Sequence, residues 1–221
     1  MRIGVDLGGT KIETLALDAK GVARGGFRRP SPRDDYQATL TTIAEMVAET
    51  ERQAGGGRSV VGLGMPGTIS PATGLVKNAN STWLNGQKFH EDLARTLGRP
   101  LRLANDANCF AISEATDGAG AGAETVFGVI LGTGVGGGIV ISGRLLGGAD
   151  GIAGEWGHNP LPWPRDDERP GPACYCGRAA CIETWLSGPG LSRDHAAHSG
   201  EKMAAVDIVA AAAAGSHTAE A

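Results

Sequence analysis

Arg2-Ile3-Gly4-Val5-Asp6-Leu7-Gly8-Gly9-Thr10-Lys11 opens the chain with a short β-branched run that glycines break at once. Alternation resumes at Ile12, Thr14 and Ala16, turns at Asp18-Ala19-Lys20-Gly21 and continues from Val22 to Arg29, a meander of three strands. The figure returns at Phe127-Gly128-Val129-Ile130-Leu131-Gly132, where Gly4 matches Gly128, Val5 matches Val129, Leu7 matches Leu131 and Gly8 matches Gly132. A second strand, Val135 to Ile141, again follows the glycine turn. Strand, glycine turn and strand written twice predict a duplicated two-lobe α/β architecture. The expected domains are residues 1–117 and 118–221.

Between the copies, Tyr36, Leu40, Ile43 and Val47 recur with a helical period that Gly55-Gly56-Gly57 ends. Ser59 to Met65 reads as a buried strand and Phe89, Leu93 and Leu97 as a helix closed by Gly98. Leu101 to Ala104 is a strand and Ala107 to Ala115 a helix. Glycine supplies 36 of the 221 residues, against a usual share of roughly 7%. The glycines cluster at the ends of apolar runs, as tight turns and close backbone approaches require.

The formal net charge of −4, with no basic block, argues against a nucleic-acid binder. The N-terminus meets Asp6 at once and is not a signal peptide. No apolar run approaches the ~20 residues that span a bilayer. The cysteines are not spread as a disulfide framework, so a cytoplasmic protein without membrane partners is expected.

Two nucleotide motifs fail on context. Gly4 to Lys11 ends Gly9-Thr10-Lys11 where a P-loop needs Gly-Lys-Ser/Thr, and a strand pattern follows it. Gly132, Gly134 and Gly137 satisfy G-x-G-x-x-G, but Ile139-Val140-Ile141 continues as strand where a dinucleotide site needs a helix. The two glycine turns are either ordinary hairpin turns or backbone cradles for phosphate. Asp106, in Asn105-Asp106-Ala107-Asn108, is either a plain helix start or a carboxylate at the carboxyl end of a strand, where α/β proteins build sites. Asp6, inside a buried-type strand, suits a cation or a phosphate-bound metal. Cys174, Cys176 and Cys181, with His158 upstream, make either a Cys3His zinc site or a set of buried free cysteines.

Taken together, these segments resemble the ROK family of sugar kinases (repressor, open reading frame, kinase). The resemblance is carried by Asp6 to Lys11, Asn105 to Asn108, Gly132 to Gly138, Gly154-Glu155-Trp156-Gly157-His158 and the cysteine cluster. Pro32 to Tyr36, Lys77 to Gly86 and Trp156 to Trp163 look most like the family's bacterial fructokinases.

The resemblance implies an actin/hexokinase-like fold whose lobes flank a cleft, and ATP-dependent transfer of a phosphoryl group to a hexose hydroxyl. D-fructose to fructose 6-phosphate is expected first; glucose, mannose and N-acetylglucosamine are the alternatives. By that resemblance Asp106 is the general base. Asn80, Asn105, Asp106, Glu155, His158 and Glu183 contact the sugar, with Gly67 behind them. Gly8, Gly9, Thr10, Lys11, Gly132, Thr133, Gly134 and Gly136 line the ATP phosphates. Asp6 lies near Mg²⁺, and His158, Cys174, Cys176 and Cys181 hold a structural Zn²⁺. One His158 nitrogen would bind zinc and the other the sugar. A homodimer is expected.

The chain also departs from the family pattern. Ala180 stands where the family writes glycine in its cysteine loop; if that position needs positive φ, alanine strains it by about 1 kcal/mol. Only five residues precede Asp6, too few for the repressors' helix-turn-helix. After a last helix from Met203 to Ala214, no second-lobe loop for adenosine follows. The expectation is a kinase whose second lobe is truncated, with a catalytically impaired sugar-binding fragment as the rival reading.

Overall fold

A computed structural model describes residues 1–216 and residue 219. His217, Thr218, Glu220 and Ala221, which close the expected second domain, lie outside the described residues. The chain divides into two compact units, Met1–Phe110 with Gly147–Ala153, and Ala111–Leu146 with Gly154–Ala221.

The first unit begins with the meander: β1 (Arg2–Leu7), β2 (Lys11–Leu17) and β3 (Ala23–Pro30), paired antiparallel. Helix α1 (Tyr36–Gln53) follows, capped by Asp35, whose side chain accepts from the Ala38 N–H. Then come β4 (Val60–Met65), a small hairpin of β5 (Thr68–Ile69) and β6 (Val76–Lys77), helix α2 (Phe89–Leu97), and β7 (Leu101–Asn105). Gly98 ends α2 in the left-handed region at φ 62°. The five-stranded sheet runs β3-β2-β1-β4-β7, with β1, β4 and β7 parallel.

Period-two alternation sends Ile3, Val5 and Leu7 inward from β1, with Ile12 and Ala16 from β2 and Val61, Leu63 and Met65 from β4. They pack with Leu40, Ile43, Met46 and Val47 of α1 and with Phe89 and Leu93 of α2. Each of the larger side chains among them (Val, Leu, Ile, Met, Phe) contributes about 1.5–3 kcal/mol on burial. The other face of β1 and β4 carries Gly4, Asp6, Gly62 and Gly64.

Helix α3 (Asp106–Asp117) starts directly from β7. Its first turns lie against Gly64, where a Cβ would sit 3.4 Å from Cys109 Sγ and 3.8 Å from Asp106 Cα. Both distances are ordinary van der Waals contacts, so the start of this helix packs directly on the strand.

The second unit pairs β8 (Thr125–Leu131) and β9 (Val135–Ile141) antiparallel, with β10 (Arg144–Leu145) on the far edge of β9. Among the described residues, helices α4 (Ile182–Leu186), α5 (Gly188–Ser199) and α6 (Ala205–Ala213) follow. As the failed motifs predict, β2 follows the first glycine turn and β9 the second, with no helix at either place. The α4 and α5 helices were not read from the sequence. Gly188-Pro189-Gly190 looks like a breaker, but proline suits a first helical turn, and Ser187 caps it by accepting from the Gly190 N–H.

Candidate active site and metal centre

In the first unit, the carboxyl ends of parallel β1, β4 and β7 meet in register, Asp6 opposite Gly64 and Gly64 opposite Ala104. Asp106 follows one residue beyond β7, near enough to Asp6 for the charge of one carboxylate to act on the other. Partial desolvation of its carboxyl raises the pKa of Asp106 although the residue as a whole is exposed, and the charge of Asp6 raises it further. The Ala107 N–H, 2.8 Å from Asp106 Oδ1, and the Asn105 side chain oppose the shift. Asp6 is raised by burial first and then by Glu13, its cross-strand partner.

Asn105 caps α3: its Oδ1 accepts from the Asn108 N–H at 3.1 Å while its Nδ2 donates to the Gly67 carbonyl at 3.1 Å. Gly67 has φ 72°, and a Cβ there would fall 2.5 Å from the Lys77 carbonyl and 2.6 Å from the Ala79 nitrogen. Only glycine fits. Asn80 is exposed on the next loop. That loop is pinned by Asn85, whose side chain accepts from the Ala79 N–H and donates to the Ala79 carbonyl, each at 2.9 Å. Asn85 lies in the stretch quoted for the resemblance, but no motif marks it as a clamp.

The first glycine turn closes with the Gly8 N–H on the Lys11 carbonyl at 2.9 Å. Thr10 and Lys11 are exposed, and Gly9 lies over Ser81, whose Oγ would be 3.3 Å from a Cβ at that glycine.

In the second unit, the Gly132 N–H bonds the Gly134 carbonyl at 2.9 Å, and the Gly132 carbonyl accepts from the Gly188 N–H at 2.7 Å where α5 begins. Thr133 is exposed at the tip. Glu183, expected at the sugar, accepts from the Val135 N–H at 2.9 Å and so braces the second glycine turn. A Cβ on Gly134 would lie 2.6 Å from Glu183 Oε2. Trp156 donates to the Gly136 carbonyl at 2.9 Å, which fastens the Glu155–His158 loop to β9. Glu155 is exposed on that loop.

His158, Cys174, Cys176 and Cys181 converge, with one ligand atom of each within 4.8 Å of the others. Cys174 Sγ is 3.5 Å from His158 Nδ1, and Cys176 Sγ is 3.6 Å from Cys181 Sγ. A tetrahedral zinc site has ligand-to-ligand edges of roughly 3.5–3.8 Å, so the donor set fits Zn²⁺. It does not fit a disulfide, whose sulfurs are about 2 Å apart. Burial pushes the Cys181 thiol up to about 12, and the neighbouring sulfurs add to the shift; a cation would reverse that. The loop is stitched by the Cys174 N–H to the Arg178 carbonyl at 2.8 Å and the Leu161 N–H to the Ala180 carbonyl at 2.9 Å. Ala180 does adopt the left-handed region, at φ 55°.

The profile of the ROK family matches residues 2–221. The chain belongs to the ROK family. This ROK chain is 40% identical over 220 residues to an N-acetyl-D-glucosamine kinase of Vibrio vulnificus, covering 97% of this chain and 72% of that one. It superposes on a ROK hexokinase from Thermus thermophilus with a TM-score of 0.80 and 33% identity, covering 99% of this chain and 70% of that one. A ROK glucokinase from Streptomyces griseus, in complex with glucose and AMPPNP, gives 0.77 and 29%, covering 99% and 72%. The ROK chain thus has the actin/hexokinase-like α/β fold and is a sugar kinase of that family. None of these three relatives is named a fructokinase, so the finer fructose expectation finds no support in them. Among the described residues, no helix of the ROK kinase is long and apolar enough to cross a membrane.

Proposed function

We propose that this kinase transfers the γ-phosphoryl group of ATP to a hexose hydroxyl with Asp106 as general base. The observation that carries the reading is the placement of Asp106 at the start of α3 beside Asp6, with burial raising its pKa. A carboxylate held above its ordinary pKa is a stronger base once ionised, which suits removal of a hydroxyl proton. Asp106 takes that proton as the sugar oxygen attacks, and the neutral acid returns it to solvent after transfer.

Positioning and charge neutralisation do most of the work in phosphoryl transfer. The backbone N–H groups around Gly8, Gly9 and Thr10, with Lys11, and around Gly132, Thr133, Gly134 and Gly136 supply anion-binding donors. Asp6 offers the hard oxygen donor that Mg²⁺ prefers, and the ion when bound would offset phosphate charge. Asn80, Asn105 and Glu155 supply polar groups for sugar hydroxyls, which discriminate sugars better than apolar contacts do. Glu183 joins them, and its Oε2 also accepts from the Val135 N–H and braces the second glycine turn. Zn²⁺ on His158, Cys174, Cys176 and Cys181 would order the proline-rich segment before the cysteines, which has little apolar content of its own.

N-acetyl-D-glucosamine is the substrate we place first, on the 40% identity to the Vibrio vulnificus kinase named for it. D-fructose to fructose 6-phosphate is the second reading, favoured by the stretch from Lys77 to Gly86. ADP release measured with N-acetylglucosamine, fructose, glucose and mannose separates them. The highest kcat/KM with N-acetylglucosamine supports the first reading, and a preference for fructose overturns it. Sugar binding without ADP release from any hexose would instead assign a sugar-binding role.

A further inference from the structure

The two ring nitrogens of His158 have different neighbours. Nδ1 faces the thiols, 3.5 Å from Cys174 Sγ, while Nε2 lies 3.0 Å from the Tyr175 hydroxyl. The two rings meet edge-on, with centroids 5.1 Å apart and planes at 86°. Tyr175 stands between two of the thiols in sequence. The turn that brings Cys174 and Cys176 to the ligand cluster, closed by the Gly177 N–H on the Cys174 carbonyl at 3.0 Å, places the Tyr175 hydroxyl against the other ring nitrogen.

We propose that Tyr175 is the positioning residue of the metal centre, holding the His158 ring so that Nδ1 is the ligating atom. A neutral imidazole carries one proton, so ligation through Nδ1 requires the proton on Nε2. The Tyr175 oxygen accepts that N–H, and its ring blocks the flip that would present Nε2 to the sulfurs. The inference rests on the zinc reading of His158, Cys174, Cys176 and Cys181.

The test uses the full chain with ¹⁵N-labelled histidine, as wild type, Tyr175→Phe and Tyr175→Ala, with Zn²⁺ alone as the probe. Zinc affinity is measured by competition with a chromogenic chelator. The state of each His158 nitrogen is read from long-range ¹H–¹⁵N spectra, assigned with a His158→Gln variant. The expected result is Nδ1 ligation with a protonated Nε2 in wild type. Tyr175→Phe, which keeps the edge-on ring contact but loses the acceptor, should bind zinc about 10–100-fold more weakly. Equal affinity and unchanged nitrogen shifts in Tyr175→Phe would overturn the role of Tyr175 while leaving the zinc site standing. Wild type holding less than about half an equivalent of zinc would overturn the metal reading. The metal-free spectra then decide separately, and a His158 Nε2 signal that Tyr175→Phe does not move removes the hydrogen bond itself.

Discussion

Asn105 ties the start of α3 to the Gly67 turn, donating to the Gly67 carbonyl and accepting from the Asn108 N–H, both at 3.1 Å. Asp106 follows it, so the direction of the carboxylate proposed as the base depends on a side chain anchored at both ends. Asn105→Ala should lower stability by about 1 kcal/mol through loss of the cap. It should also lower kcat more than it raises the KM for ATP. Urea unfolding with steady-state kinetics checks both, and an unchanged kcat would separate Asn105 from the orientation of Asp106.

The raised pKa of Asp106 sets a sign for stability. Its proton is held more tightly in the folded than in the unfolded chain, so stability falls as pH rises above the ordinary value of 3.8. Asp106→Asn should therefore raise the melting temperature at neutral pH and flatten its decline above about pH 4. Thermal unfolding across pH 4–8 reads this directly. The same shift moves the acid limb of kcat/KM in the wild type above 3.8.

Glu51 and Arg99 give the opposite sign. Two Arg99 nitrogens reach Glu51 at 2.6 and 3.0 Å, and the Ser59 N–H and hydroxyl each donate to Glu51 Oε1 at 2.7 Å. Arg99 above all, with Ser59, holds the carboxylate at about 2 against an ordinary 4.5. The stability it supplies is complete above 4.5 and is lost as pH falls toward 2. Both side chains are nearly enclosed, at 14% and 11% exposure, so Glu51→Gln should destabilise by about 3 kcal/mol. Urea unfolding at pH 7 and pH 4 should show a smaller wild-type advantage at pH 4.

How far the sequence was legible follows from what each feature needs. Alternation and glycine turns expose β1, β2, β3, β4, β8 and β9, because a half-buried strand must alternate and a hairpin must turn. The hairpin of β5 and β6 and the strand β10 have two residues each, too few for a period to form. Helix α4 has five residues and begins immediately after Cys181. At the site, Asp106 and the cysteines stand out as candidates by residue type and place, and the family resemblance supplies their expected roles. The clamp at Asn85, the turn from Glu183 toward Val135 and the Tyr175 contact depend on distances between segments, which spacing does not encode.

Ala180 has φ 55°, a conformation glycine adopts without penalty. Ala180→Gly should stabilise the loop by up to about 1 kcal/mol, partly offset by the greater freedom of glycine in the unfolded chain. Thermal unfolding of the zinc-loaded chain measures it, and a fall in melting temperature would show that the loop relaxes around alanine.

Gly134→Ala places a methyl group where Glu183 Oε2 would be 2.6 Å away, forcing the carboxylate off the Val135 N–H. Stability should fall by about 1 kcal/mol for the lost bond. The KM for ATP should rise several-fold while the KM for the sugar changes less. A rise confined to the sugar KM would show that Glu183 acts at the sugar and not through the turn.

The central claim is that Asp106 removes the hydroxyl proton. Its most direct test is ADP release with saturating ATP and hexose, comparing wild type with an Asp106→Asn variant shown to be folded by its thermal transition. The account predicts a fall in kcat of about 10²–10⁴-fold for the variant. Equal turnover from both proteins would contradict it.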